Sequence, residues 1–293
     1  MNLSSPAQRI AATAAGDGDL GPGKFLRSCS AALALLLVLS LAPPAMAQAQ
    51  TTTESYEPEV GQPGKDVVWV PTSQELVEKM LDIAKVTPQD YLIDLGSGDG
   101  RTVITAARRG LKAHGIEYNP DMVALAQRNA AQAGVTDRAT FAKADLFESD
   151  FSNATVITMF LLPSINERLR PKILDLRPGT RIVSNTFTMG DWRADETAIV
   201  GGDCTNWCTA LLWIVPAKVE GVWQLGDQEL KLTQRFQTLS GTLGPSNISA
   251  ARLSGNAISF TVNGARYTGT VDGKTMKGNL VGEPGGSWSA VQK

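Results

Sequence analysis

The run Tyr91-Leu92-Ile93-Asp94-Leu95, followed at once by Gly96-Ser97-Gly98-Asp99-Gly100, constrains this chain more than any other feature. The first five residues suit a buried strand, and Thr102 to Arg109 reads as a helix closed by Gly110. A turn between strand and helix presents free backbone amides at the helix start. Glycine alone permits both the sharp bend and the close approach of a ligand's polar tail. The unit is therefore a candidate site for a nucleotide-like ligand. Its spacing discriminates further, because the GxGxxG pattern of dinucleotide binders requires a third glycine at position 101, where this chain has Arg101.

The flanking sequence repeats the strand-helix alternation. Thr72-Ser73-Gln74-Glu75 has capping-box spacing, with Leu76, Met80, Leu81 and Ala84 at helical intervals and Pro88-Gln89-Asp90 as a stop. Ala113 to Glu117 reads as a second strand, and Asn119 caps a helix that opens with Pro120 and stops at Gly134. Thr140 to Lys143, Thr155 to Leu161 and Arg181 to Thr186 read as further strands, with a second capping box at Ser164-Ile165-Asn166-Glu167. Repeated βα units imply a parallel sheet covered on both faces, with ligands at the carboxyl ends of its strands. After Pro216 the texture changes. Short runs around Trp223, Leu230, Phe236, Phe260, Tyr267 and Trp288, separated by Gly, Asn and Asp, suggest an antiparallel meander, barrel or roll. The similar Gly221-Val222-Trp223 and Ser287-Trp288-Ser289 are expected on its paired first and last strands, and no catalytic cluster stands out there.

At the N-terminus, Lys24 and Arg27 precede an apolar run from Ala31 to Ala42, and Pro43-Pro44-Ala45-Met46-Ala47 supplies a small-x-small cleavage site. Residues 1–47 are thus expected to be a signal peptide, 48–64 a linker, 65–216 the α/β domain and 217–293 the β domain. Export to a periplasmic or extracellular space follows, with a membrane anchor near the apolar run as the alternative. Two cysteines then remain, Cys204 and Cys208. They form a disulfide if Thr205-Asn206-Trp207 turns, and stay free thiols otherwise.

Three acidic residues fall at strand ends. Asp94 ends the first, Glu117 ends the second where it can accept from both ribose hydroxyls, and Asp145 follows the third. Asp94 to Gly100 resembles the first motif of class I S-adenosylmethionine-dependent methyltransferases, in which the acidic residue faces the amino group of the methionine moiety. With Val70-Pro71-Thr72-Ser73 before it and Phe160-Leu161-Leu162-Pro163 after it, residues 67–214 resemble the protein-lysine methyltransferases that act on the c-type ring protein of ATP synthase and on adenine nucleotide translocase, and their bacterial relatives. The resemblance implies an α/β, Rossmann-like doubly wound sheet of seven strands, here followed by a small antiparallel β domain. It implies S-adenosyl-L-methionine as cofactor, held by Pro71, Thr72, Asp94, Gly96, Ser97, Gly98 and Gly100, with Glu117 at the ribose, Asp145 at the adenine amino group, and Tyr118 or Leu146 against its ring. It also implies a methyl acceptor that is a protein lysine. The export signal and the β domain depart from the family, so a small-molecule acceptor, or an exported binding module with an inactive fold, stand as alternatives.

Other chemistries lack parts. His114 is the only histidine and sits inside a strand, which leaves no metal set and no Ser-His-Asp arrangement. A net charge of -2 offers no basic field for a phosphate backbone, and Phe160 to Pro163 lacks the polar pair that DNA amino methylases place there, so no nucleic-acid partner is expected. A lysine acceptor must lose a proton before it attacks, and the sequence leaves the base unassigned. Glu75 and Asp99 carry carboxylates, but each equally suits a cap or a turn.

Overall fold

A computed structural model describes residues 56–202, 204–282 and 285–293. The expected signal peptide, and residues 48–55 of the expected linker, lie outside the described residues. A seven-stranded sheet runs β3-β2-β1-β4-β5-β7-β6. Its parallel members are β1 (Tyr91–Leu95), β2 (Lys112–Glu117), β3 (Ala139–Lys143), β4 (Val156–Met159) and β5 (Arg181–Asn185). The antiparallel pair β6 (Glu196–Ile199) and β7 (Thr209–Ile214) completes it, so the sheet is mixed rather than wholly parallel.

Successive residues of the central strands feed opposite faces. Leu92, Val156, Val183 and Leu212 pack on one side with α1 (Gln74–Ile83), α2 (Arg101–Arg108) and α3 (Pro120–Gln132). Their neighbours Ile93, Ile157, Ile182 and Trp213 pack on the other, against α4 (Pro163–Leu174) and the fully buried Trp192. Among the described residues the second face thus has one helix, and an irregular segment carrying Met189 and Trp192 also packs there.

Two helix starts differ from the sequence expectation. The N-cap of α1 is Ser73, whose hydroxyl accepts from the Leu76 amide at 3.3 Å, while Thr72 accepts from Asn185 Nδ2 at 3.2 Å. A tertiary partner has taken the hydroxyl the capping box needed. Ser164 lies inside α4, because Pro163, with its fixed φ and no amide to satisfy, takes the first helical position after extended Leu162. Residues 56–64 do not behave as a linker either. Gly61 N donates to Trp69 O and Trp69 N donates to Gln62 O, and Gln62 reaches Tyr56 Oη at 2.6 Å.

The C-terminal strands β8 (Gly221–Leu225), β9 (Gln228–Arg235), β10 (Thr238–Leu243), β11 (Ser246–Asn247), β12 (Ser249–Ser254), β13 (Ala257–Val262), β14 (Ala265–Asp272), β15 (Thr275–Val281) and β16 (Gly286–Gln292) form an antiparallel meander. It closes where β16 pairs with β8, Val291 opposite Gln224, in agreement with the similar tryptophan-bearing ends. Trp223, Leu230, Leu253, Phe260 and Met276 fill its interior. The barrel is fastened to the α/β domain by Phe236 stacked on Trp192 at 5.7 Å, by Gln237 donating to Arg193 O at 2.8 Å, and by an Arg252–Asp195 ion pair.

Candidate active site

At the carboxyl ends of the parallel strands lies a cavity of about 430 Å³. Adjacent strands are about 4.8 Å apart, so Asp94, Glu117 and Asp145, after β1, β2 and β3, form a row of carboxylates along one wall. Gly96, Tyr118, Leu146, Pro71 and Thr72 line the same cavity. Ser97, Gly98 and Gly100 stand behind the wall: Ser97 lies against Gly115, where a Cβ would come 2.5 Å from its hydroxyl oxygen, and that buried oxygen has no hydrogen-bond partner among the described residues. Glycine is required at position 100, where φ is 83° and a Cβ would fall 2.7 Å from the Phe141 ring.

Glu117 ties the turn to the second strand. Its carboxylate accepts from the Gly98 amide at 3.0 Å and the Asn119 amide at 2.9 Å, which fixes its direction while leaving lone pairs for a vicinal diol. Asp94 is buried and accepts from the Thr158 hydroxyl at 2.6 Å. Burial pushes its pKa up to about 7; the Thr158 hydrogen bond opposes this, and the neighbouring carboxylates Glu117 and Asp99 add to it. No cationic side chain pairs with Asp94 among the described residues. Asp145 is held below its ordinary value by the hydrogen bond from Lys65 and the Phe147 amide. Lys65 also lies over the Tyr118 ring, 4.7 Å from its centroid.

Of the N-terminal segment that carries Lys65, the sequence expectation covers only Pro71 and Thr72, yet Gln62 to Trp69 also line the cavity. A Cβ on Gly98 would lie 2.7 Å from Trp69 Nε1, so the indole rests on the glycine turn. Phe160, Leu161 and Leu162 after β4, Phe187 after β5 and Trp207 before β7 add apolar side chains to the lining, and the sequence expectation assigns them no contact. Cys204 and Cys208 are bonded, with their Cα atoms 5.9 Å apart, because the intervening residues turn and Trp207 adopts a φ of 54°. Of the two carboxylates considered as bases, Asp99 lines the cavity but is paired to Arg101 at 2.6 Å, and Glu75 does not line it. His114 is half-buried against Thr140, away from the lining.

A buried carboxylate without a counter-ion calls for a cationic ligand, and the next two carboxylates suit a diol and an exocyclic amine. Gly96 packs closely against Leu161, since a Cβ there would lie 3.2 Å from its side chain. These residues fit S-adenosylmethionine, with its ammonium, ribose and adenine.

The ANTKMT methyltransferase domain model matches residues 94–196. A protein-lysine N-methyltransferase of Saccharolobus islandicus is 47% identical over 133 residues, 44% of this chain and 83% of that protein. The adenine nucleotide translocase lysine N-methyltransferase of Mus musculus is 35% identical over 137 residues, covering 46% of this chain and 58% of the mouse protein. Among solved structures, an RNA methyltransferase from Salinibacter ruber in complex with S-adenosyl-L-homocysteine is 48% identical, covers 51% of this chain and 96% of its own, and has a TM-score of 0.48. Kinship across most of the archaeal protein and a matching motif at the predicted strand end give one answer: the chain belongs to this family of S-adenosylmethionine-dependent methyltransferases.

Proposed function

We propose that the chain methylates the side-chain amine of a protein lysine. The observation that carries this is the division of the cavity. Carboxylates suited to the donor line one part of it, and Phe160, Leu161, Leu162, Phe187 and Trp207 line it with apolar side chains. A lysine has a long apolar stem and one polar atom, so it fits such a lining along its length. The names of the archaeal and mouse relatives support the same acceptor.

Bound S-adenosylmethionine supplies an electrophilic methyl carbon on a sulfonium. Held by Asp94, Glu117 and Asp145, it would offer that methyl group to the acceptor's lone pair, with sulfur keeping the electron pair of the broken bond. The protein's part is to orient and to desolvate. The cavity takes the acceptor amine out of water, and this loss of hydration lowers its pKa from about 10.4 and so raises the fraction able to attack. It also excludes water from the line of attack.

The proposal includes export. Lys24, Arg27, the apolar run from Ala31 to Ala42 and Ala47 support it, as does the Cys204–Cys208 disulfide, a bond that persists in oxidising compartments. Membrane proximity of the acceptor belongs to the same proposal.

The test is transfer of labelled methyl groups from S-adenosylmethionine by the full chain to separate pools of host membrane protein, soluble protein, RNA and small molecules. Label recovered as methyl-lysine after protein hydrolysis supports the reading. Label confined to RNA or to small molecules overturns it.

A further inference from the structure

Three aromatic rings of the cavity lining meet one another. Phe160 follows β4, Phe187 follows β5 and Trp207 precedes β7, so three separate strand ends converge. Phe160 stacks on Phe187 at 5.7 Å with 19° between the planes, and the Trp207 indole meets Phe160 edge-on at 5.8 Å and 62°. Trp207 is 43% exposed, an unusual position for the largest side chain. Trp207 lies inside the ring that the Cys204–Cys208 disulfide closes, with its backbone in the left-handed region at φ 54°.

We propose that Trp207, fixed by this disulfide, completes with Phe160 and Phe187 an aromatic acceptor wall that holds the amine through successive methylations. The inference rests on the lysine reading above. A carboxylate partner loses a hydrogen bond each time a methyl replaces a proton on nitrogen. An aromatic face attracts the cation through its quadrupole whatever the substituents, and contact with it grows as methyls are added. Phe160 and Phe187 are set by the sheet. Trp207 is set by the loop, so the disulfide acts as a positioning element and the indole as the specificity-determining contact.

The experiment compares wild type with Trp207→Phe, Trp207→Ala and the double variant Cys204→Ser/Cys208→Ser. Donor affinity by calorimetry reports whether each is folded and should be unchanged throughout. Titration with free trimethyl-lysine should show binding to wild type and Trp207→Phe, weakened roughly fivefold or more in Trp207→Ala. With an acceptor peptide, Trp207→Ala should raise KM more than it lowers kcat and shift the products toward the monomethyl form, as seen by mass spectrometry. The double serine variant should move the same way, and Trp207→Phe should largely restore both readouts. If wild type methylates lysine while Trp207→Ala keeps its acceptor KM, product distribution and trimethyl-lysine affinity, this inference fails and the lysine reading stands. If wild type methylates no lysine, both fall.

Discussion

Donor binding should be linked to the ionisation of Asp94. In the ligand-free chain this carboxyl is buried, faces Glu117 and Asp99, and titrates at about 7, with only the Thr158 hydroxyl favouring its charged form. An ammonium arriving beside it supplies the missing counter-charge and requires the carboxylate. Apparent affinity is then scaled by the ionised fraction. From about pH 8, where that fraction is near one, to about pH 6, where it is near a tenth, binding should weaken about tenfold, or ~1.4 kcal/mol. Further acidification should approach a loss of about tenfold per unit. Calorimetric titration with S-adenosylmethionine across this range, in buffers of different ionisation heat, should also show about half a proton released near pH 7. Burial lowers the pKa of His114 from 6.5, and it stands outside the cavity lining, so it does not supply this signal. In Asp94→Asn, binding should be weak and level with pH. A wild-type affinity that does not change between pH 6 and 8, or an Asn variant that keeps the slope, would refute the reasoning.

The same shift has a stability consequence: because the folded pKa lies above the ordinary 3.8, the ligand-free chain should lose stability as pH rises from about 4 to about 7. Thermal unfolding near pH 5 and near pH 8 checks this, and Asp94→Asn should remove the difference. Gly100→Ala should cost ~3 kcal/mol in urea unfolding, since it adds left-handed strain to a contact of 2.7 Å with Phe141 and 2.9 Å with Ala126; a cost below about 1 kcal/mol would count against the packing described. Arg181→Ala should cost ~2–3 kcal/mol, because it strips partners from the buried Asp90 and from the carbonyls of Ala84 and Lys85. Lys65→Ala frees the Asp145 carboxylate, and donor affinity measured by calorimetry should rise by at most a few fold.

The donor half of the site is legible in the sequence because it is local. Asp94, the glycine turn and Glu117 lie at the ends of consecutive strands, and each carries its meaning within a few residues of sequence. The antiparallel pair β6 and β7 is not legible in that way. Residues 196–199 are mostly exposed and show no alternation of burial, so nothing in their pattern marks a strand until β7 pairs with them. Thr72 has the spacing of a cap within its own helix, and it serves Asn185, 113 positions away, instead. Trp69 and Phe187 reach the cavity through loops whose paths depend on tertiary packing. Trp207 has a visible signal, an aromatic residue enclosed by two bondable cysteines, but only the fold shows that this small ring faces the cavity.

That division follows from what each half must recognise. Every member of a donor-sharing family meets the same ammonium, ribose and adenine, so the carboxylate row and glycine turn recur as a compact pattern, whereas the acceptor changes and its wall is assembled from strand ends that vary in their loops. In this chain Trp207 is tied to a disulfide, and this links the proposed acceptor wall to the proposed export. If the chain is exported, as proposed, its two thiols would pair in the oxidising compartment, and the bond would then seat the indole on Phe160.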